Sequence, residues 1–421
     1  MTRAACAWLS LALAVALAGC GQQAKPRYQP EGDDYPQALS GWGMLHLADG
    51  HLAPAPEALP YDLNTPLFTD YAHKLRTVWM PEGQAAKYAD DHFDYPLGTV
   101  LTKTFYYPTD GKGQLLENSQ DDRDPQQGLD LARVRLVETR VLVKQKDGWT
   151  ALPYVWDAEQ KEAHLELAGD SQALELQDAA GQKVAFTYMV PDANQCSECH
   201  AETKGTGIAP LGPKARHLNK DFAYAEGSDN QLRHWQARGF LQGLPALAQV
   251  PQNALWGHPR AGESLEKQAR SYLDANCGHC HNPKGAARTS GLYIDASAEL
   301  GVNYGFCKQP VAAGNGTGGR REDIHPGHPE LSVLTYRVGS DKPGEMMPEL
   351  GRALVHKEGL EVLERWIAGL AGGVFEAGVF LRLRCVGEGL RSLSPALSLK
   401  GEGACPCLRI NRVSICDFGS G

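Results

Sequence analysis

Glu263-Ser-Leu-Glu-Lys-Gln-Ala-Arg-Ser-Tyr-Leu-Asp-Ala-Asn-Cys-Gly-His-Cys-His281 is the stretch on which the reading of this chain turns. Its first part places Leu265, Ala269, Tyr272 and Leu273 along one face at helical spacing. The helix then runs directly into Cys277-Gly-His-Cys280-His281, and the same Cys-X-X-Cys-His pattern stands earlier as Cys196-Ser-Glu-Cys199-His200. Cysteines three apart on one turn reach both vinyl groups of a porphyrin, and the histidine after them lies under the iron. We therefore expect two covalently bound haem c groups, held by Cys196, Cys199, Cys277 and Cys280, with His200 and His281 as iron ligands.

Chance and zinc explain the pattern poorly. With 11 Cys and 14 His in 421 residues, one such motif arises by accident in about one chain per hundred, and two far more rarely. A four-cysteine zinc site separates its pairs by roughly 15 to 20 residues, well short of the distance from Cys199 to Cys277, and asks for no histidine after either pair. A thioredoxin-like redox pair accounts for one motif but not two, and no βαβ pattern surrounds either.

The chain opens with Arg3, the apolar run from Trp8 to Leu17, and Ala18-Gly19-Cys20. A basic start, an apolar stretch too short to span a bilayer and small residues at a cleavage point describe a secretory signal over residues 1–19. Leu17-Ala-Gly-Cys20 looks like a bacterial lipobox, which makes Cys20 the expected lipidated residue and membrane anchor. Gly21 follows, without the aspartate associated with inner-membrane retention, so a periplasm-facing outer-membrane anchor is the favoured placement. Residues 20–40, rich in Pro, Gln and Asp, read as a tether. Net charge is −9 with scattered basic residues, which suits redox partner proteins and argues against nucleic acid.

Residues 41–190 read as a β-rich domain. Strands are expected at 99–107, 133–143, 149–156 and 183–189, rich in β-branched and aromatic residues. The apolar phase changes near Leu136-Val137, as at a bulge, and Asp147-Gly148 signals a hairpin. Residues 191–262 form a first haem-binding region and residues 263–372 a second haem domain. There Leu360, Leu363, Ile367 and Leu370 line a final helix that pairs with the first, like the crossing terminal helices of a cytochrome c domain. The expected class is α+β: an N-terminal antiparallel β-rich domain followed by mainly α-helical cytochrome c haem-binding regions. Residues 373–421 break the pattern, look frameshifted and receive no function; Cys307 is expected to be a buried free thiol. The Gly-rich run at 312–319 lacks a P-loop's ending and reads as a loop over a haem edge.

In Gly344-Glu-Met-Met-Pro-Glu-Leu-Gly351, Met347 directly precedes a proline just before the final helix, and is the expected second axial ligand of the second haem. The first haem is less legible. His217, His234, His258, Met189 and Met80 are its candidates, and an empty sixth position is equally open.

With these residues in view, the chain resembles a family of bacterial dihaem c-type cytochromes, often lipoproteins. The resemblance runs from about Tyr61 to Leu370. It includes Asn64-Thr-Pro-Leu-Phe-Thr-Asp-Tyr71, Pro96-Leu-Gly-Thr-Val-Leu-Thr-Lys-Thr-Phe105, Gly212-Pro-Lys-Ala-Arg216, Cys307-Lys-Gln-Pro-Val-Ala-Ala-Gly314 and Asp323-Ile-His-Pro-Gly327, besides both haem motifs. It implies a dihaem redox protein without naming a reaction. The expectation is a single-electron carrier in the periplasm. The alternatives are a dihaem enzyme, peroxidase-like or substrate-oxidising, with the first haem open and the second as relay, and a binding module whose β-rich part does the work.

Overall fold

The computed structural model describes residues 34–117, 123–200, 207–311 and 313–370. The signal segment, Cys20, most of the tether and the tail at 373–421 lie outside the described residues. The chain is α+β, with a large antiparallel β-rich N-terminal region. Among the described residues, no helix is long and apolar enough to cross a membrane.

The centre of that region is a six-stranded meander. Its strands are β1 (Leu59–Tyr61), β2 (His73–Trp79), β3 (Val100–Pro108), β4 (Val134–Gln145), β5 (Gly148–Trp156) and β6 (Ala163–Leu165). They lie side by side in chain order, all antiparallel. The register shifts between Leu136 and Glu138, where the apolar phase changes in the sequence. Gln145 pairs with Gly148, so the β4–β5 hairpin turns on Lys146-Asp147, one residue before the expected position. A second hairpin, β7 (Asp170–Gln177) with β8 (Lys183–Val190), follows.

The two faces of the meander differ. One buries Leu75, Val100, Tyr106, Val141 and Val143 against Trp42, Met44 and Leu52 of the preceding segment. Threonines inside that face pair across strands, Thr77 with Thr102 at 2.6 Å and Thr104 with Thr139 at 2.8 Å, so no hydroxyl there is left unsatisfied. The opposite face carries an apolar cluster at each end, around Val78 and Leu101 and around Phe105, Tyr107 and Val137. Between them runs a band of charge.

Beyond Val190 come α1 (Ala193–His200), α2 (Ala215–Leu218), α3 (Gln231–Ala237), α4 (Leu265–Asn276), α5 (Val333–Val338) and α6 (Lys357–Gly369). Residues 215–250 are less separate than their composition suggests. Ala215, Leu218, Leu232, Trp235 and Leu241 complete the core around Val78 and Leu101, and Leu241–Gln242 pairs in parallel with Ala86–Ala89. Local pattern cannot show this, because the partners are more than a hundred residues apart in the chain.

Helices α4 and α6 pack as expected, burying Ala269, Tyr272 and Leu273 against Leu363, Trp366 and Ile367. Gly359 permits their close approach, since a Cβ there would sit 2.4 Å from the Tyr272 ring. Ser264 caps α4, its hydroxyl accepting from Lys267 N at 3.1 Å.

Candidate functional site

The first motif is carried by α1, which begins immediately after β8. Asp192 starts that helix, its carboxylate accepting from Asn194 N and Gln195 N, both at 2.8 Å. The second motif continues from α4, with Cys277 N and Gly278 N both bonded to Leu273 O at 2.8 Å. A side chain at Gly278 would meet Asp295 Cα at 2.8 Å, so the gap between these two cysteines must begin with a residue of this size.

Far apart in sequence, the motifs converge in space. One ligand atom each from Cys199, His279 and Cys280 lies within 4.8 Å of the others. The hydrogen bond it shares with Cys280 draws the Cys199 thiol down, against the opposing effect of burial, while the same bond pushes Cys280 up. Cys196, Cys199, Cys277 and Cys280 are all free of disulfides. Cys196 and Cys277 stand outside the group, which does not fit a four-cysteine zinc site.

Each motif histidine is oriented by the hydrogen bond it makes. His200 Nδ1 donates to Ala209 O at 2.8 Å, leaving Nε2 with the lone pair. His281 Nδ1 lies 3.4 Å from Ser290 Oγ, and the ring also engages the Leu292 backbone. Burial lowers the pKa of His200 to about 3 and of His281 to about 4. Both rings are therefore neutral at ordinary pH, the form that ligates a metal.

Two buried donors near the second motif have no partner among the described residues, Arg288 Nη1 and Trp366 Nε1. Buried donors are rarely left unmet, and an acidic cofactor edge is the kind of acceptor they lack. Free thiols, neutral oriented imidazoles and waiting donors all fit a c-type haem.

Met347 is half-buried on a loop fixed by its backbone. Its N donates to Arg337 O at 2.9 Å, and its carbonyl accepts from Arg352 Nη2 at 2.8 Å. Arg352 also holds Ser340 O and Leu354 O, so one guanidinium organises the whole turn.

The candidates for the first haem's sixth ligand are scattered. His217 is buried, with Nε2 3.2 Å from Asp274 Oδ2, and its Nδ1 accepts from Lys214 N. His234 stacks on Tyr224 at 3.6 Å, His258 is exposed, Met189 is exposed and Met80 lies in the apolar core. None of the three histidines joins the Cys199–His279–Cys280 group. Cys307 corrects the sequence reading: it is disulfide-bonded, not a free thiol. A spare cysteine reads as free when its neighbours in sequence offer no match, and pairing depends on the fold.

Sequence reasoning missed His279, because the positions between motif cysteines are chemically unconstrained. It also missed how Asn64 and Asn276 clamp the two halves of the chain. Asn64 Nδ2 donates to Arg216 O at 3.1 Å and Asn253 O at 3.0 Å, while Asn276 Oδ1 accepts from Phe68 N at 2.7 Å. Phe68 in turn stacks on His356 at 4.2 Å. No protein-family model, curated protein or solved structure matches the chain.

Proposed function

We propose that the chain is a dihaem c-type cytochrome that carries single electrons in the bacterial periplasm, anchored by lipid on Cys20. Redox partner proteins would supply and accept the electrons. The observation that supports this best is the meeting of two Cys-X-X-Cys-His motifs at Cys199 and Cys280. Haem bound there would supply a one-electron ferric–ferrous couple.

The protein's own work is positional. Cys196 and Cys199 would hold one group, and Cys277 and Cys280 the other. His200 and His281 present Nε2 because Nδ1 is engaged, and burial keeps both rings unprotonated. Met347, on the loop braced by Arg352, is the proposed second ligand beside His281. A soft thioether there favours the reduced metal and raises the potential.

The Cys199–His279–Cys280 group alone would also suit zinc. That reading leaves His200 and His281 with no task, although each is held in a ligand's pose. A dihaem enzyme is the second reading, favoured by one observation: both ring nitrogens of His217, the candidate nearest the first motif in sequence, are engaged elsewhere.

Low-temperature EPR of the oxidised holo-protein separates the readings. The carrier predicts two low-spin signals, one of which changes in Met347→Ala. A high-spin signal that responds to peroxide favours the enzyme, and the absence of any haem signal contradicts both.

A further inference from the structure

The charged band on the meander is a row of cations. Lys103 on β3 stands directly opposite Arg76 on β2 and Arg140 on β4. Like charges in directly opposed positions are unfavourable, so such a row needs compensation. Both arginines have it. Arg76 Nη1 donates to Asp62 Oδ1 at 2.7 Å, and Arg140 grips Glu138 through Nε at 2.8 Å and Nη2 at 2.6 Å.

Lys103, between them, has no carboxylate partner among the described residues. Its ammonium lies 5.1 Å from the centre of the Phe105 ring, with Arg140 at 4.5 Å and Lys74 at 5.7 Å from the same ring. Nearby carboxylates are already committed. Glu138 is fully buried and also accepts from Tyr188 Oη at 2.7 Å, while Asp62 also pairs with Lys220 at 2.7 Å. Asp70 accepts from Ala353 N and Leu354 N. Burial, then repulsion from Arg140 and Arg76, lowers Lys103 to about 7. Helix α1 packs against β5, the neighbour of the strand that carries Arg140, and Cys196 and His200 both feel the charge of Lys103 and Arg140, so the row faces the first motif.

An inward-facing amine in this position either gives up its proton or is completed by an anion. We infer that Arg76, Lys103 and Arg140 form an anion site beside the first motif, centred on Lys103, which recognises a carboxylate. The carboxylate has two possible sources: the edge of a haem held by Cys196 and Cys199, or a free carboxylate from solution. The first source rests on the haem reading above; the second does not.

The test uses the full-length exported protein, as wild type, Lys103→Met and Lys103→Arg, with acetate as the probe. Haem content by mass is measured first and bears on the haem reading alone. The potential of each haem is then measured with and without acetate. If the carboxylate is the haem's own, Lys103→Met lowers the potential of one haem and acetate changes nothing in either protein. If it comes from solution, acetate gives a saturable shift in wild type that is about tenfold weaker in Lys103→Met, the loss of one charge-assisted hydrogen bond. Lys103→Arg keeps the wild-type behaviour in both cases, and Lys103→Gln replaces the methionine variant if that one does not fold. Equal potentials and equal acetate responses in wild type and Lys103→Met overturn the site. Should the protein carry no haem, titration calorimetry with acetate reads the same site, and no heat of binding in wild type overturns it.

Discussion

The two motif-bearing regions solve the same local problem in different ways. The second is built from short-range order: α4 delivers Cys277, α6 crosses it at Gly359, and Arg352 fixes the loop that carries Met347. The first motif sits on a single helix launched from a strand, and that helix borrows its surroundings from the meander, packing against β5, with His200 held by Ala209. A site assembled locally keeps its chemistry close to its motif in sequence. A site assembled by a sheet draws on residues such as Lys103 and Arg140 that no motif announces.

That contrast predicts unequal responses to damage. The largest effect is covalent: Cys277→Ser with Cys280→Ser should abolish haem attachment in the second region while the first keeps its own. Haem staining of a denaturing gel, read with intact mass, checks this. Loss of both groups from that variant would mean that the regions do not mature independently.

Gly359→Val comes next. Its side chain would press on the Tyr272 ring at the crossing, and overpacking of a tight contact costs about 1–3 kcal/mol, with the upper end expected where backbone is involved. Urea unfolding should show the loss. A neutral result would mean that the helices are not held at that crossing.

Asn64→Ala probes the borrowed contacts instead. It removes one donor from each of two carbonyls that keep another, Arg216 O from Asn253 N and Asn253 O from Arg260, and should cost about 0.5–1.5 kcal/mol. By this account the change lowers the unfolding midpoint and loosens the first region more than the second. Hydrogen exchange resolved along the chain measures the difference.

The most conditional effect appears only on acidification. Burial holds His356 near 3, well below an exposed histidine. The unfolded chain therefore binds a proton that the native state refuses, so stability should fall as pH drops from about 6.5 towards 3. The stacked contact with Phe68 suits an apolar ring, so His356→Phe should flatten this slope. An unchanged slope would assign the acid sensitivity to other groups.

What could be read from the sequence follows the same division. Leu265, Ala269, Tyr272 and Leu273 repeat at helical spacing and are packed as that spacing implies, because one helix face needs only local information. The bulge near Leu136 was visible as a change of phase in a single strand. The row Arg76–Lys103–Arg140 was not, since it exists only once three strands are in register. The same holds for the disulfide at Cys307 and for the approach of His279 to Cys199, both of which are decided by the fold.

The central claim is that four cysteines carry two haems, and peptide mapping by mass spectrometry of the protein purified after export tests it directly. The account predicts one haem added on the peptide containing Cys196 and Cys199 and another on the peptide containing Cys277 and Cys280. Unmodified thiols at all four positions, with zinc retained by Cys199, His279 and Cys280, would contradict it.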